Sequence, residues 1–400
     1  MDRKLYIDGR WVDAVAGTTA LIPDPATREP VGTSAIAGLG DVELAVTAAR
    51  RAFPAWAAMH PDHRVRIMHR AADLIDQRID AIADLLTREQ GKPVPDSKKE
   101  IAFAAEVIRY YFEQGHRVFG TLRPASNAAI RNIVTEHPVG VVAGIVPWNY
   151  PVDLYAWKVA PVLAADCVLV AKPPHETPLA IAMVVQWFEY AGLPPGVLND
   201  IPGTGQEVGA ALSAHRGIDM ITATASIPAG QWIMRAAAGN LKRVSLELGG
   251  QCPFIVLDDA DPMEAAAAAA RRAFSNMGQI CIAVNRIIVS RGIHAAFTKA
   301  LVEVTRKIEL GHGVTPGVLY GPVLNEGVRS RVQRHLDDAL AKGGKLLTGG
   351  TVHKGAPWDR RYFFTPAVVD AADDDALALT EETFGSPPMS SLAILSMAGR

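Results

Sequence analysis

Gly140-Val141-Val142-Ala143-Gly144-Ile145-Val146, followed at once by Pro147-Trp148-Asn149-Tyr150-Pro151, is the stretch on which the fold turns. The run is strand-sized, rich in β-branched residues, and stops at a turn framed by two prolines. Runs of the same kind recur at Val168–Ala171, Val197–Ile201, Met220–Thr222, Phe254–Leu257 and Arg286–Val289, with helix-length segments between them. Such alternation specifies βαβ units, hence a mostly parallel sheet covered on both faces. An α/β fold is expected.

Upstream, Lys4–Ile7 and Trp11–Val12 alternate with the turn clusters Asp8-Gly9 and Pro23-Asp24-Pro25, a pattern suited to an edge ribbon. Asp41 is expected to cap a helix whose apolar positions run from Val42 to Trp56 at helical spacing. A second helix is expected over 64–90, stopped by Gly91 and Pro93, and a third over 96–118. Ala265–Ala270 reads as a tightly packed helix, because alanine is the best helix former. The Gly249-Gly250 pair closes one block of units and a fresh series starts at Phe254. The expected division is therefore 1–247, 248–385 and a tail, 386–400.

Four hundred residues exceed one ordinary core, which fits this division. Apolar residues at 49% and charged residues at 20% exclude a disordered chain. Lys+Arg 40 against Asp+Glu 42 leaves a net charge of -2, which gives no field to gather nucleic acid or an anionic membrane surface. Three cysteines, Cys167, Cys252 and Cys281, cannot build a disulfide framework and fit a reducing compartment. The N-terminus lacks the apolar core of a signal peptide, and the longest apolar stretch, 139–148, is far short of a membrane span. A soluble, cytoplasmic protein is expected, with no residue assigned to a metal.

Cys281 follows Phe274-Ser275-Asn276-Met277-Gly278-Gln279-Ile280 and precedes the run Arg286–Val289, so it falls at a turn where a reactive thiolate is plausible. The alternative, a small buried hydrophobe, is the preferred reading for Cys167; Cys252 stands between the two. Glu247, alone in Val244-Ser245-Leu246-Glu247-Leu248, is costly to bury unless useful, which makes it a candidate general base with a raised pKa. A salt bridge to Lys242 or Arg243 is the competing account. The Asn149 amide, held between prolines, is a candidate oxyanion donor or an Asx-turn. Gly203-x-Gly205-x-x-x-Gly209 suits phosphate at a helix N-terminus, although one residue longer than the usual fingerprint; equally, its glycines serve a turn needing positive φ.

Taken in order, Pro147-Trp148-Asn149-Tyr150-Pro151, Lys172-Pro173, Gly203-x-Gly205, Glu247-Leu248-Gly249-Gly250, Gly278-Gln279-x-Cys281 and Glu382-Thr383-Phe384-Gly385 resemble the NAD(P)-dependent aldehyde dehydrogenase superfamily. The resemblance runs from Leu5 to about Gly385, and Glu89-Gln90-Gly91-Lys92-Pro93 is similar to the semialdehyde-oxidising branch. It implies a Rossmann-type cofactor domain over 1–247, an α/β catalytic domain over 248–385, and a β-ribbon oligomerisation element at 121–137. The substrate implied is a small aldehyde, and the cofactor is NAD or NADP. Cys281 would be the nucleophile, the Asn149 amide and the Cys281 N–H would hold the oxyanion, and Glu247 would activate the water that releases a carboxylic acid. Val146, Pro147, Trp148 and the turn carrying Gly205 and Gly209 would line the adenosine region, with Lys172 at the ribose and His175 nearby. Ser226 would meet the pyrophosphate, and Leu248, Glu382 and Phe384 would lie toward the nicotinamide.

The departures carry expectations too. Ala225 replaces a glycine where the chain passes the cofactor. His175 stands where NAD-preferring members carry Glu, so NAD and NADP are not separated. Trp157, preceding Lys158, replaces an Arg often found in succinate-semialdehyde enzymes, which argues against a carboxylate being gripped there. Asp166 replaces a glycine and sets a charge beside an apolar strand, a stability cost. After Gly385 the tail diverges from the family, so a truncated member is expected, with sheet edges left uncovered. The resemblance implies a homo-oligomer, yet the ribbon's partner strand would come from the diverged end, which argues against assembly. The alternative to an active enzyme is an inactive member that retains the fold or cofactor binding only.

Overall fold

The run beginning at Val141 is an inner strand of a seven-stranded sheet in the computed structural model, which describes residues 1–352, 362–370, 373–383 and 392–398. Val141–Ile145 pairs in parallel with Val168–Lys172 on one side and Met220–Ala225 on the other, and Val168–Lys172 pairs in parallel with Leu198–Asp200. Arg243–Leu248 flanks Met220–Ala225, while Leu5–Ile7 and Arg10–Val12 finish the opposite edge in antiparallel pairing. Every residue of Val141–Ile145 and Val168–Lys172 is buried, which is why these runs are apolar without alternation. From Val141–Ile145 the chain steps outward through two strands, then returns to its other side for Met220–Ala225. The strand order reverses there, and in an open parallel sheet ligands bind outside the carboxyl ends of the strands at such a reversal.

The described chain clusters into two units. One comprises Met1–Leu21, Gly32–Ala83 and Lys98–Glu247; the other comprises Ile22–Val31, Asp84–Ser97 and Leu248–Arg400. Residues 22–31 and 84–97, which the sequence reading leaves in 1–247, therefore belong with the second unit. Gly91 shows the cause: at φ 99 it packs so closely that an added Cβ would lie 3.0 Å from Pro25 Cγ and 3.0 Å from the Pro322 carbonyl oxygen. Close packing of this kind joins segments far apart in sequence, and helical periodicity cannot reveal it.

The second unit holds a five-stranded sheet in the order Cys252–Val256, Val284–Ser290, Leu392–Ala398, Ala367–Asp370, Lys345–Thr348, all parallel except the last. The tail expected to be an unrelated appendage thus contributes the middle strand. Its run Leu392-Ala393-Ile394-Leu395 has ordinary strand composition, which a comparison of family motifs passes over.

Two helix expectations need correction. The helix expected over 64–90 is two, Pro61–Asp76 and Ile79–Gln90. The break falls where Arg78 N–H donates to Ile75 O at 3.0 Å and the guanidinium settles 5.6 Å from the Trp187 ring centroid. Asp41 is not the cap of Leu39–Ala57. It lies inside the first turn, buried, and its carboxylate accepts from the N–H groups of Gly38 at 2.9 Å and Val15 at 3.0 Å. The ribbon expected at 121–137 is Thr121–Pro124 paired antiparallel with Arg131–Val134, fully exposed.

Asp166, at φ 63, joins helix Pro151–Ala164 to strand Val168–Lys172 and pairs with the buried Arg64. Arg64 also donates to Trp56 O at 3.3 Å. Burial raises the Asp166 pKa and lowers that of Arg64, and in each case the partner's charge opposes the shift without cancelling it. The expected cost of Asp166 is real, but a cation shares it. Asp166→Gly relieves about 1 kcal/mol of left-handed strain yet strands a buried guanidinium, for a net loss of about 2 kcal/mol in urea unfolding. Arg64→Met with Asp166→Gly restores parental stability or exceeds it; a double variant weaker than the single one would refute this account.

Candidate active site

In the first unit, Val146 N–H still bonds to Lys172 O at 3.1 Å, and the chain then leaves the sheet at Pro147. Trp148 and Asn149 are buried, and Trp148 O accepts from Thr177 Oγ at 3.2 Å. Helix Pro151–Ala164 begins immediately after Tyr150. Its first free amides, Val152 and Asp153, donate to Glu100 Oε1 at 2.9 and 3.3 Å, so a buried carboxylate from another helix closes this N-terminus. Asn149 is therefore held on a turn fixed at both sides. The Asx-turn alternative fails, because the N–H it would need is that of the residue two on, Pro151, which has none.

Helix Pro151–Ala164 carries one Lys or Arg, Lys158, and buries it. Desolvation lowers its pKa to about 8, with the Glu247 charge pulling upward. Sequence reasoning used Lys158 only as a landmark; a lone cation on a helix otherwise apolar at its buried positions was the available signal. Glu247 itself corrects an expectation. Strand Arg243–Leu248 exposes Arg243, Ser245 and Glu247 and half-buries the alternate residues. The carboxylate is thus exposed, and the burial that its apolar neighbours suggested is absent. The salt-bridge account fails for Lys242, which the same alternation puts on the opposite face and which bonds to Asn240 Oδ1. No ion pair with Arg243 forms among the described residues.

At the carboxyl end of Val168–Lys172, the Lys172 ammonium is fully buried and donates to Pro173 O at 3.1 Å and Gly203 O at 3.0 Å. Burial lowers its pKa to about 8 against the charge of Glu176. One of its three N–H groups is left for a ligand hydroxyl. His175 is half-exposed and its Nδ1 lies 3.2 Å from Glu176 Oε2, so a carboxylate does reach this loop, one residue late.

Gly205–Gly209 forms a short π-helical turn opened by Thr204, whose hydroxyl accepts from Glu207 N–H at 3.2 Å. Neither Gly205 nor Gly209 has positive φ, so that alternative for the glycines is wrong. Gly203 is required instead by contact, since a Cβ there would collide with Val208. An added Cβ at Gly205 would meet nothing within 4 Å. Ser226 is the N-cap of helix Ile227–Ala237, with a long 3.5 Å bond from Ala229 N–H, and Pro228 removes one amide from this first turn. A buried ammonium with a donor to spare, an open glycine turn and a capped helix start, all at the carboxyl ends of parallel strands, fit a dinucleotide. The last of these offers fewer donors than an ordinary helix start.

In the second unit, Asn276, Met277 and Gly278 are consecutive left-handed residues, at φ 49, 57 and 73. Two of the three carry side chains, a strain of about 1 kcal/mol or more each. Buried amides sustain it. Asn276 Nδ2 donates to Gln279 O and Gln279 Nε2 returns to Asn276 O, both at 3.1 Å, while Gln279 Oε1 accepts from Leu324 N–H at 3.0 Å. This turn delivers Cys281, half-buried. Cys252 Sγ donates to Cys281 O at 3.2 Å, and its pKa is raised by burial and by Glu382. Cys167 is buried, its thiol likewise pushed up by desolvation.

Leu248 is half-buried at the end of its strand. Glu382 lies over the following glycines: its Oε1 accepts Gly250 N–H at 3.0 Å, and a Cβ on Gly249 would collide with the carboxylate. Gly249 is thereby explained, whereas an added Cβ at Gly250 would meet nothing within 4 Å. Phe384 lies outside the described residues. Among the described residues, no group of three His, Cys, Asp or Glu is placed to hold a metal, and no helix is long and apolar enough to cross a membrane.

The profile of the aldehyde dehydrogenase family matches residues 11–391. The glutarate-semialdehyde dehydrogenase of Pseudomonas putida is 37% identical over 383 residues, 96% of this chain and 78% of the relative. The NADP(+) succinate-semialdehyde dehydrogenase of Escherichia coli is 36% identical, covering 96% of this chain and 79% of that protein. Among solved structures, the NAD+ complex of aldehyde dehydrogenase from Bacillus cereus superposes with a TM-score of 0.95 at 33% identity, covering 100% of this chain and 80% of that one.

Proposed function

The chain belongs to the aldehyde dehydrogenase family, and on that premise we propose how its residues divide the work of oxidising an aldehyde to the carboxylic acid with NAD or NADP. That membership supports the catalytic reading over the binding-only one. The first unit, Met1–Leu21, Gly32–Ala83 and Lys98–Glu247, holds the cofactor, and the second carries the nucleophile. The observation that carries the assignment is Cys281, presented by a strained turn that buried amides hold in place.

The Cys281 thiolate adds to the aldehyde carbon, and the oxygen gains the negative charge. The Asn149 amide and the Cys281 N–H stabilise that oxyanion. NAD or NADP, when bound, supplies the two-electron acceptor that converts the adduct to a thioester. Glu247 then takes a proton from water attacking the thioester carbonyl; the C–S bond breaks and the acid leaves. Lys172 donates to a ribose hydroxyl, Trp148, Val146, Pro147 and the 203–209 turn line the adenosine, and Ser226 faces the pyrophosphate. Leu248 and Glu382 lie toward the nicotinamide end. Three thiols, none of them in a disulfide, support a cytoplasmic setting.

The test is reduction of NAD and NADP followed by absorbance with propanal, succinate semialdehyde and glutarate semialdehyde. Absence of turnover with every aldehyde, in protein that binds cofactor, would overturn the assignment.

Trp157 refines the substrate. Its ring lies 5.7 Å from that of Tyr111 and 6.4 Å from that of Phe103, an exposed aromatic group on the helix that follows Asn149. A semialdehyde's distal carboxylate finds no guanidinium at this position. Trp157→Arg is expected to raise kcat/KM for succinate semialdehyde relative to propanal about tenfold, the size of one charge-assisted hydrogen bond. An unchanged ratio would remove Trp157 from substrate recognition.

A further inference from the structure

The segment Glu381-Glu382-Thr383 is tied down residue by residue within the second unit. Glu381 O accepts from Gln251 Nε2 at 2.7 Å, and its carboxylate pairs with Arg334 at 3.0 Å. Glu382 Oε1 takes the Gly250 N–H. Thr383, buried, meets His335 Nδ1 through its hydroxyl at 3.1 Å. His335 sits on helix Glu326–Ala341 and is fully buried, an unusual place for an imidazole that no step of the reaction employs.

The hydrogen bonds fix its tautomer. Two groups face His335 Nε2: the Arg334 guanidinium at 3.3 Å, within hydrogen-bond range and able only to donate, and the Glu381 carboxylate at 3.6 Å, beyond it; Nε2 therefore holds a lone pair and the ring proton is on Nδ1. Nδ1–H therefore donates to Thr383 Oγ. Desolvation, reinforced by Arg334, lowers the His335 pKa to about 4, so the ring stays in this neutral form near pH 7.

We propose that His335 is a positioning residue for the cofactor: through its Nδ1–H bond to Thr383 it holds the 381–383 backbone so that the Glu382 carboxylate stays seated on the Gly249–Gly250 turn, ready to receive the ribose hydroxyls at the nicotinamide end. This rests on the reading of Glu382 as a cofactor residue, and the geometry adds the reason that carboxylate has one place to be. Residues 381 and 383 are gripped by the helix, and 382, between them, is turned to the glycines.

The experiment measures dissociation constants for NAD and NADP by quenching of intrinsic fluorescence, with KM and kcat for the aldehyde, in five single variants and one double variant. Glu382→Gln is expected to weaken cofactor binding about tenfold, as loss of a charged hydrogen-bond acceptor does. His335→Leu and Thr383→Val each weaken it about threefold to tenfold, with the aldehyde KM unchanged, and combining the two adds nothing further. His335→Asn, whose amide nitrogen occupies the place of Nδ1, restores parental binding; His335→Gln, whose amide reaches the place of Nε2, does not. A merely structural histidine would not distinguish Asn from Gln, so equal behaviour of those two variants overturns the proposal. Parental cofactor binding in both His335→Leu and Thr383→Val, with Glu382→Gln impaired, overturns it as well and leaves the Glu382 reading standing. Parental binding in Glu382→Gln removes both.

Discussion

Cys281→Ala abolishes aldehyde oxidation, lowering kcat by a factor on the order of 10⁴, while the protein still folds and binds NAD or NADP. The size follows from what the residue supplies: without the sulfur there is no covalent adduct, and the remaining binding and oxyanion groups give only the residual acceleration typical of enzymes stripped of their nucleophile. Folding survives because the half-buried Cys281 side chain fills no part of the core, and the amide pair of Asn276 and Gln279 that shapes the turn does not involve it. Absorbance of reduced cofactor reads the loss, and fluorescence titration reads the retained binding. Cys252→Ala is the matched control. Its thiol is close, donating to Cys281 O at 3.2 Å, but burial and the Glu382 charge both hold it protonated, and a protonated thiol is a poor nucleophile. Near-parental rates in Cys281→Ala with loss in Cys252→Ala would reassign the nucleophile.

The contrast between these two thiols shows what the sequence makes legible. Strand-sized runs gave the parallel sheet because burial on both faces writes itself as unbroken β-branched sequence, and the motif order carried the family. Position at a turn likewise marked Cys281. What escaped were partnerships formed at long range. Glu100 caps the helix after Asn149 from a separate helix, Arg64 answers Asp166 across a hundred residues of chain, and His335 anchors Thr383 from the second unit's helix. None of these has a local spacing to detect. Glu247 failed in the opposite direction: apolar neighbours suggested burial, but a strand alternates its faces, and the face carrying Glu247 is the exposed one. Gly249 is the instructive intermediate. Its necessity was readable as a motif, while the cause, a carboxylate from residue 382 lying on its α-carbon, belongs to tertiary structure.

Glu247→Gln should separate the two halves of the reaction. Glutamine keeps the shape and a carbonyl acceptor but cannot accept a proton from water, so thioester forms and is not hydrolysed. Mixing enzyme, cofactor and aldehyde is then expected to give a burst of about one equivalent of reduced cofactor, followed by a steady rate lower by a factor on the order of 10² to 10³, the usual worth of a positioned general base. A mass increment equal to the acyl group on Cys281 identifies the trapped species; loss of the burst together with the steady rate would instead put Glu247 in the first half. Lys158 sets the pH dependence of this step. With its pKa lowered to about 8 by burial, against the pull of the Glu247 charge, it is cationic below that pH and sets a positive charge beside the attacking water's base. Above about pH 8 the ammonium loses its proton and the positive charge beside Glu247 disappears. Lys158→Met, which keeps the buried chain and deletes the charge, should therefore leave the deacylation rate flat through pH 8, where the parent shows an inflection. An inflection that survives in Lys158→Met would assign it to a different group, and the coupling between helix Pro151–Ala164 and strand Arg243–Leu248 would then be structural alone.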